Sequence, residues 1–200
     1  MITLTLVRHA RSAHNASGHI QGRSDSPLDD VGRAQAAALG QALAGSRFDG
    51  LLTSPQSRAL DTAQAIAALH PHLPVRVDER LRERDAGDFT GLNAGQMRAR
   101  AQSDSTDLHV LEWQSPNGED AMQLRARVQS LLDDIQSHPR DAHLIVVTHG
   151  TVLNALLAAL GLPPTSRQIF TFDNASISEL VWHEGHWRVR RLNVCLPLLP

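Results

Sequence analysis

The chain of 200 residues, 42% hydrophobic and 20% charged, has the length of one domain with modest elaboration and the composition of a globule, not of a disordered or collagen-like polymer. Its 19 basic and 21 acidic side chains leave a net charge of −2, which argues against non-specific nucleic-acid binding. Every basic residue is arginine, tyrosine is absent and Cys195 is the sole cysteine, which excludes a Walker-type phosphate loop, a Schiff-base lysine, a tyrosine nucleophile, an intrachain disulfide and a multi-cysteine zinc site.

Alternation and β-branching predict a first strand over Ile2 to Arg8. Residues Ala10 to Leu28, rich in Gly, Ser, Asn and Asp, read as a long functional loop. Asp29 caps a predicted helix from Asp30 to about Leu43, with Val31, Ala34, Ala38 and Leu39 on one face. A short buried strand follows at Phe48 to Leu52, then a helix opened by Ser54 as cap and Pro55, running to about Leu69. Val75 to Val77 is a third strand, Glu79 to Asn93 a loop, Ala94 to Gln102 a helix, and Ser103 to Asn117 a polar connection containing Trp113. A long helix spans Gly118 to His138, a strand Ala142 to Thr148, and a helix Thr151 to Leu160. After Pro163-Pro164 come strands at Ile169 to Phe172, Ile177 to Trp182 and Trp187 to Leu192, the last two joined by a turn at Glu184-Gly185.

Alternating strands and helices predict an α/β three-layer sandwich: a mostly parallel central sheet, helices on both faces, and an antiparallel C-terminal edge hairpin. No linker divides residues 1–200, which read as one domain. No apolar run approaches about 18 residues and the N-terminus lacks the basic region and long apolar segment of a signal peptide. A cytoplasmic protein with no membrane partner is expected.

Two segments match. Leu4 to Ala10 and Leu144 to Gly150 each read as a buried strand ending in a histidine, His9 or His149, followed by a small residue. Ligands of open α/β sheets bind beyond the carboxyl ends of the strands, so two such imidazoles on neighbouring strands would face one site. Arg8 stands beside His9 at the end of an apolar strand and needs a partner. Arg58 lies in the first turns of a helix, where free N–H groups and a planar guanidinium fork suit phosphate oxygens. No His-Glu-x-x-His or other close-spaced ligand set is present, so no metal is expected. His70, His72, His183 and His186 read as solvated.

In these blocks the sequence resembles the histidine phosphatase superfamily, also called phosphoglycerate mutase-like. The resemblance runs through Leu6-Val7-Arg8-His9-Ala10-Arg11-Ser12-Ala13-His14-Asn15, then Gln21-Gly22-Arg23-Ser24-Asp25-Ser26-Pro27-Leu28 with Gly32 and Gln35-Ala36 beyond. It continues through Thr53-Ser54-Pro55-Gln56-Ser57-Arg58-Ala59-Leu60-Asp61-Thr62-Ala63 and Leu81-Arg82-Glu83 with Gly87 and Gly91, and closes at Val147-Thr148-His149-Gly150. Ala10 stands where the family usually has Gly, and Arg11 where it often has Glu.

The resemblance implies that His9 is the nucleophile and carries a phosphohistidine. It further implies that Arg8, Arg58 and a protonated His149 clamp the phosphoryl oxygens without a metal or other cofactor, and that Glu83 is the general acid and base. Asn15, Gln21, Gly22 and Gly150 complete the implied phosphate site. Mutases of this family carry an added segment after the Glu block. Here Glu83 and His149 lie only 66 positions apart, and the run Gly87 to Leu92 looks like the phosphatase branch. Hydrolysis of a small phosphorylated metabolite is therefore favoured. Mutase-type transfer and a non-catalytic phospho-ligand-binding module on the same fold are the alternatives. Phe89, Leu92 and Trp113 are candidates to pack an apolar substrate body, and Arg11, Arg23, Arg84 and Arg98 to hold a second acidic group. The oligomeric state is open; the apolar tail Leu196 to Pro200 could cross to a partner in a homodimer.

Overall fold

Strand β1 (Ile2–Arg8) sets the layering of the molecule, a computed structural model that describes residues 1–100, 115–137, 141–162 and 170–196. Ile2, Leu4 and Leu6 point into one apolar cluster and Val7 into a second on the opposite face, as the two-residue period of a strand requires. The remaining elements follow in order: α1 (Ala13–Ser17), α2 (Asp30–Leu43), β2 (Gly50–Thr53), α3 (Ser57–Ala67), β3 (Val75–Val77), α4 (Ala94–Arg100), α5 (Ala121–Gln136), β4 (Ala142–Thr148), α6 (Gly150–Ala159), β5 (Ile177–His183) and β6 (His186–Val194). Single 3-10 turns occur at Glu79–Leu81 and Gly87–Phe89.

The six strands are ordered β3-β2-β4-β1-β5-β6. The β3-β2, β2-β4 and β4-β1 pairs are parallel, while β5 runs antiparallel to both β1 and β6. The core on one face is made with α5 and α6 (Leu124, Val128, Leu131, Val152, Leu156) and on the other with α2 and α3 (Leu39, Leu43, Ala59, Ala63, Ile66). This is the three-layer arrangement expected, with the hairpin at the edge.

Several local expectations need correction. The loop Ala10 to Leu28 contains helix α1, capped by Ser12, whose hydroxyl accepts from the Asn15 amide while the Asn15 side chain accepts from the Ser12 amide. The strand expected at Phe48 begins at Gly50, and the helix expected from Gly118 begins at Ala121, capped by Asp120. Helix α3 starts at Ser57, and its N-terminal cap is Gln56 rather than Ser54. Phe170 to Phe172 is not a strand: the Phe172 side chain is buried against the α5–α6 face while its carbonyl serves a side chain of the site. Ile169, the Pro163-Pro164 break, Trp113, His138 and residues 197–200 lie outside the described residues. Among the described residues, no helix is long and apolar enough to cross a membrane.

The sheet places the candidate site. Ser54, His149 and His9 follow directly on the carboxyl ends of β2, β4 and β1, three adjacent parallel strands. Arg8 stands opposite Thr148 in the β1–β4 register, so the two histidines emerge side by side.

Candidate active site

His9 is nearly fully buried, 2% exposed, and its main-chain N–H donates to the Thr148 carbonyl at 2.9 Å. Its ring Nδ1 lies 2.7 Å from the Ala10 carbonyl oxygen. A carbonyl only accepts, so Nδ1 carries the proton and Nε2 keeps a lone pair. Burial first, then the charges of Arg58 and Arg8, hold the imidazole pKa well below its ordinary value, so the ring is neutral at pH 7. A neutral imidazole with a free Nε2 is the protonation state a nitrogen nucleophile needs.

Ala10 donates its N–H to Thr62 Oγ1 at 3.0 Å, and Thr62 Oγ1 donates to the Arg58 carbonyl at 2.7 Å. The Ala10 methyl is buried in the α2–α3 core, and its φ lies outside the left-handed region, so alanine is accommodated where the family usually has glycine. Arg11 turns away from the cavity: its Nε donates to Asp29 Oδ2 at 2.8 Å and its amide to Gln35 Oε1 at 2.9 Å.

Arg58 is fully buried; its Nη1 donates to the Ser24 carbonyl at 2.8 Å and its Nη2 to the Gly22 carbonyl at 3.0 Å. Arg8 donates through Nη1 to the Phe172 carbonyl. The Nε of each arginine is buried without a hydrogen-bond partner. Burial lowers both pKa values, that of Arg58 to about 10, and leaves both charged at neutral pH. These acceptors are neutral carbonyls, which orient the guanidinium planes without cancelling their charge, while Glu83 acts on both arginines through its field.

His149 is fully buried at the start of α6 and shares a 2.8 Å hydrogen bond between its Nε2 and Ser54 Oγ. Its Nδ1 has no partner, and its ring centroid lies 5.0 Å from that of His9. Burial, the neighbouring His9 and the two arginines push its pKa well below the ordinary histidine value. The ring is therefore neutral in the ligand-free protein.

Glu83 is half-buried beside the cavity. Its Oε1 accepts from the Arg84 amide at 2.8 Å and its Oε2 from the Thr151 amide, in the first turn of α6, at 3.4 Å. Its own N–H donates to Gln56 Oε1 at 2.8 Å, and Gln56 Nε2 donates to the Gly22 carbonyl at 3.0 Å. Gln56 thus ties the carboxylate segment to one of the carbonyls that orients Arg58.

These groups surround a cavity of about 350 Å³. Of the residues singled out by sequence, Arg8, His9, Asn15, Gln21, Gly22, Arg58, Glu83 and Arg84 line it; Arg11, Arg23 and Arg98 do not, nor do His149 and Gly150, which lie at the β4–α6 junction. Gly22 adopts φ +49°, and a Cβ there would lie 2.7 Å from the Ala86 nitrogen, so glycine is required on both counts. Asn15 Oδ1 accepts from Ser12 and, at 3.2 Å, from Asn174 Nδ2, which also donates to the His9 carbonyl at 3.1 Å. With its oxygen so occupied, the Asn15 amide group is left as the donor end. Ser54, Gln56, Thr62, Thr151 and Asn174 are site residues that the sequence reading did not assign. Only Ser54, Gln56 and Thr62 carried a signal, by lying in the same block as Arg58.

Among the described residues, no group of three or more His, Cys, Asp or Glu side chains is arranged to hold a metal. Of the four histidines read as solvated, His70 departs, stacking edge-on against Phe48 at 5.3 Å. Phe89 is buried away from the cavity and Leu92 does not line it.

Comparison with known proteins gives the family. The family described as histidine phosphatase superfamily (branch 1) matches residues 4–195. A putative phosphoserine phosphatase of Hydrogenobacter thermophilus is 35% identical over 188 residues, covering 90% of this chain and 89% of that protein. A probable phosphoglycerate mutase of Yersinia enterocolitica is 33% identical over 199 residues, covering 94% and 88%. Among solved structures, a mycobacterial glucosyl-3-phosphoglycerate phosphatase in complex with VO3 superimposes with a TM-score of 0.85 at 32% identity, over 96% of this chain and 98% of that one.

Proposed function

The chain belongs to the histidine phosphatase superfamily and is a phosphoric monoester hydrolase, and from that premise we propose that it hydrolyses a small cytoplasmic phosphomonoester without a metal ion, through a phosphohistidine on His9, with Glu83 as general acid and base. The reading takes residues 1–200 as one domain. The observation that carries it is the state of His9: a buried neutral ring, protonated on Nδ1, whose Nε2 keeps its lone pair in the fields of Arg58 and Arg8, which line the same cavity. Simple phosphate binding has no use for a desolvated lone pair; in-line attack on phosphorus does.

In the proposed first step Glu83 takes a proton from solvent as the phosphoryl group binds, His9 Nε2 bonds to phosphorus, the P–O ester bond breaks, and Glu83 passes that proton to the leaving alkoxide. Arg8, Arg58 and the Asn15 amide hold the equatorial oxygens. His149, neutral at rest, takes up a proton when the phosphate dianion arrives, because the new negative charge offsets the two arginines that depress its pKa. In the second step Glu83, now a carboxylate, draws a proton from water, the water oxygen attacks phosphorus, and His9 is released with inorganic phosphate.

The test is to mix the protein with ³²P-labelled phenyl phosphate for milliseconds and quench in base. Wild type is expected to carry base-stable, acid-labile label and His9→Ala none, with its fold retained. Near-normal turnover by His9→Ala would overturn the assignment.

A further inference from the structure

Ser54, just past the end of β2, is fully buried, and the sheet fixes its place: its main-chain N–H donates to the Val147 carbonyl of β4 at 3.1 Å. Its hydroxyl has two polar neighbours. The Gln56 N–H approaches Oγ at 3.4 Å, and His149 Nε2 lies 2.8 Å away. An amide N–H only donates, so among the described residues His149 Nε2 is the acceptor within reach of the Ser54 O–H. The opposite arrangement, Nε2–H donating to Oγ, would leave two buried groups unsatisfied, the Ser54 proton and the His149 Nδ1 lone pair.

With the hydroxyl as donor, the neutral ring carries its proton on Nδ1, and a single group stays unsatisfied: that N–H, buried and without a partner. Arg8 Nε and Arg58 Nε are buried and unpartnered in the same way, and both arginines act on the His149 ring through their fields. All three orphans are then N–H donors. Buried donors are satisfied by acceptors, and an oxygen-rich anion supplies several at once.

We propose that Ser54 is a positioning residue: its hydroxyl donates to His149 Nε2 and so keeps a proton on His149 Nδ1, ready to donate to an incoming phosphoryl oxygen. The proposal rests on the phosphatase reading above and adds a residue to its site. The same contact serves the ring after it gains a second proton, because the hydroxyl turns to accept from Nε2–H while Nδ1–H stays in place. Free neutral histidine favours the proton on Nε2. Without the hydroxyl the ring returns toward that form and offers the phosphoryl group a lone pair, which repels it.

The experiment labels the histidine rings with ¹⁵N and records long-range ¹H–¹⁵N correlation spectra of wild type and Ser54→Ala at neutral pH without substrate; the signals missing from His149→Asn assign His149. The expected wild-type ring is protonated on Nδ1. In Ser54→Ala the proton moves wholly or partly to Nε2, while His9, held by the Ala10 carbonyl, keeps its Nδ1–H in both proteins. For phenyl phosphate, kcat/KM falls about 10-fold in Ser54→Ala, the loss that goes with one weakened hydrogen bond to a charged group. Should Ser54→Ala fail to fold, the wild-type spectrum decides alone. A wild-type proton on His149 Nε2, an unmoved proton in Ser54→Ala, a His9 ring that changes tautomer with it, or an unchanged kcat/KM overturns the proposal and leaves the phosphatase reading standing. Absence of hydrolysis by wild type overturns the phosphatase reading and, with it, the role of Nδ1–H toward a phosphoryl group, whatever tautomer the spectrum shows.

Discussion

His9 and His149 are buried as neutral rings, and that burial makes the stability of the fold depend on pH in a predictable window. In the unfolded chain each titrates near pH 6.5; in the folded protein each is held well below that. Between those values the unfolded state binds more protons, so stability is complete above about pH 7 and falls as the pH drops through 6.5. A histidine wholly neutral in the fold loses about 1.3 kcal/mol between pH 7 and pH 5.5, which makes about 2.5 kcal/mol the upper bound for the pair. That is a large share of a typical domain stability of about 5–15 kcal/mol. His143, half-buried and also lowered, adds a smaller loss because Asp49 and Glu179 favour its charged form. The carboxylates held low by arginines, Asp78 and Glu119, lose their contribution only further down, below about pH 4. Urea unfolding at pH 7 and 5.5 checks the claim. Wild type should lose up to about 2.5 kcal/mol plus the His143 share, His9→Asn or His149→Asn about half of the pair's loss plus that share, and the double variant the His143 share alone. An equal loss in wild type and the double variant would refute the assignment of two buried neutral rings.

Three further outcomes are expected. Glu83→Gln should lower turnover of alkyl phosphates by about 10²–10⁴, with a much smaller effect on the first step for nitrophenyl phosphate, whose leaving group needs no proton; equal losses in pre-steady-state traces would remove Glu83 from the acid role. Gln56→Leu deletes the link between the Glu83 amide and the Gly22 carbonyl, so it should depress alkyl phosphates more than nitrophenyl phosphate while His9 still becomes labelled; an unchanged ratio between the two substrates would limit Gln56 to packing. Dialysis against EDTA should leave the rate unchanged, because arginines and imidazole supply the positive charge; loss of activity with rescue by one divalent ion would move the reaction to a metal-assisted class.

The paired strand ends were legible because two periodic apolar runs, each closed by a histidine, obey the rule that parallel strands deliver side chains to one edge. The register then needed only β1 and β4 to be neighbours, which the sheet order provides. Ser54 was misread for a physical reason. Ser-Pro is a strong helix-start signal, yet here the hydroxyl bonds His149 across 95 positions of chain, and no local pattern encodes such a partner. The role of Gln56, which the Arg58 block contains without assigning, and all of Asn174 were illegible on the same ground: an amide that bridges two loops has no periodicity. The strand expected at Ile169 to Phe172 failed because a short apolar run reads alike in a strand or a buried coil. Gly32 shows the opposite case, in which a residue of the resemblance acquires a cause: a Cβ there would lie 1.9 Å from the Arg11 carbonyl oxygen, so helix α2 can pack under the His9 loop only with glycine.

The arginines of this chain fall into two sets that explain where a phosphoryl group can bind. At the cavity floor, Arg8 and Arg58 donate to main-chain carbonyls of Phe172, Ser24 and Gly22, which fix orientation and leave the charge available. A carboxylate in those places would orient the guanidinium equally well, but it would compete with the phosphate for the same charge. Away from the cavity lining the arrangement is reversed: Arg11, Arg23 and Arg100 each face a carboxylate. The same residue type thus donates to neutral carbonyls in one place and to carboxylates in another. The free charge also acts on the histidines, since the two clamping arginines depress the His9 pKa beyond what burial alone does. Removing either arginine would therefore weaken phosphate binding and, in the same step, loosen the hold on the neutral nucleophile. In the proposed mechanism clamp and nucleophile form one electrostatic unit, so substitutions at Arg8 or Arg58 combined with His9 or His149 should be non-additive.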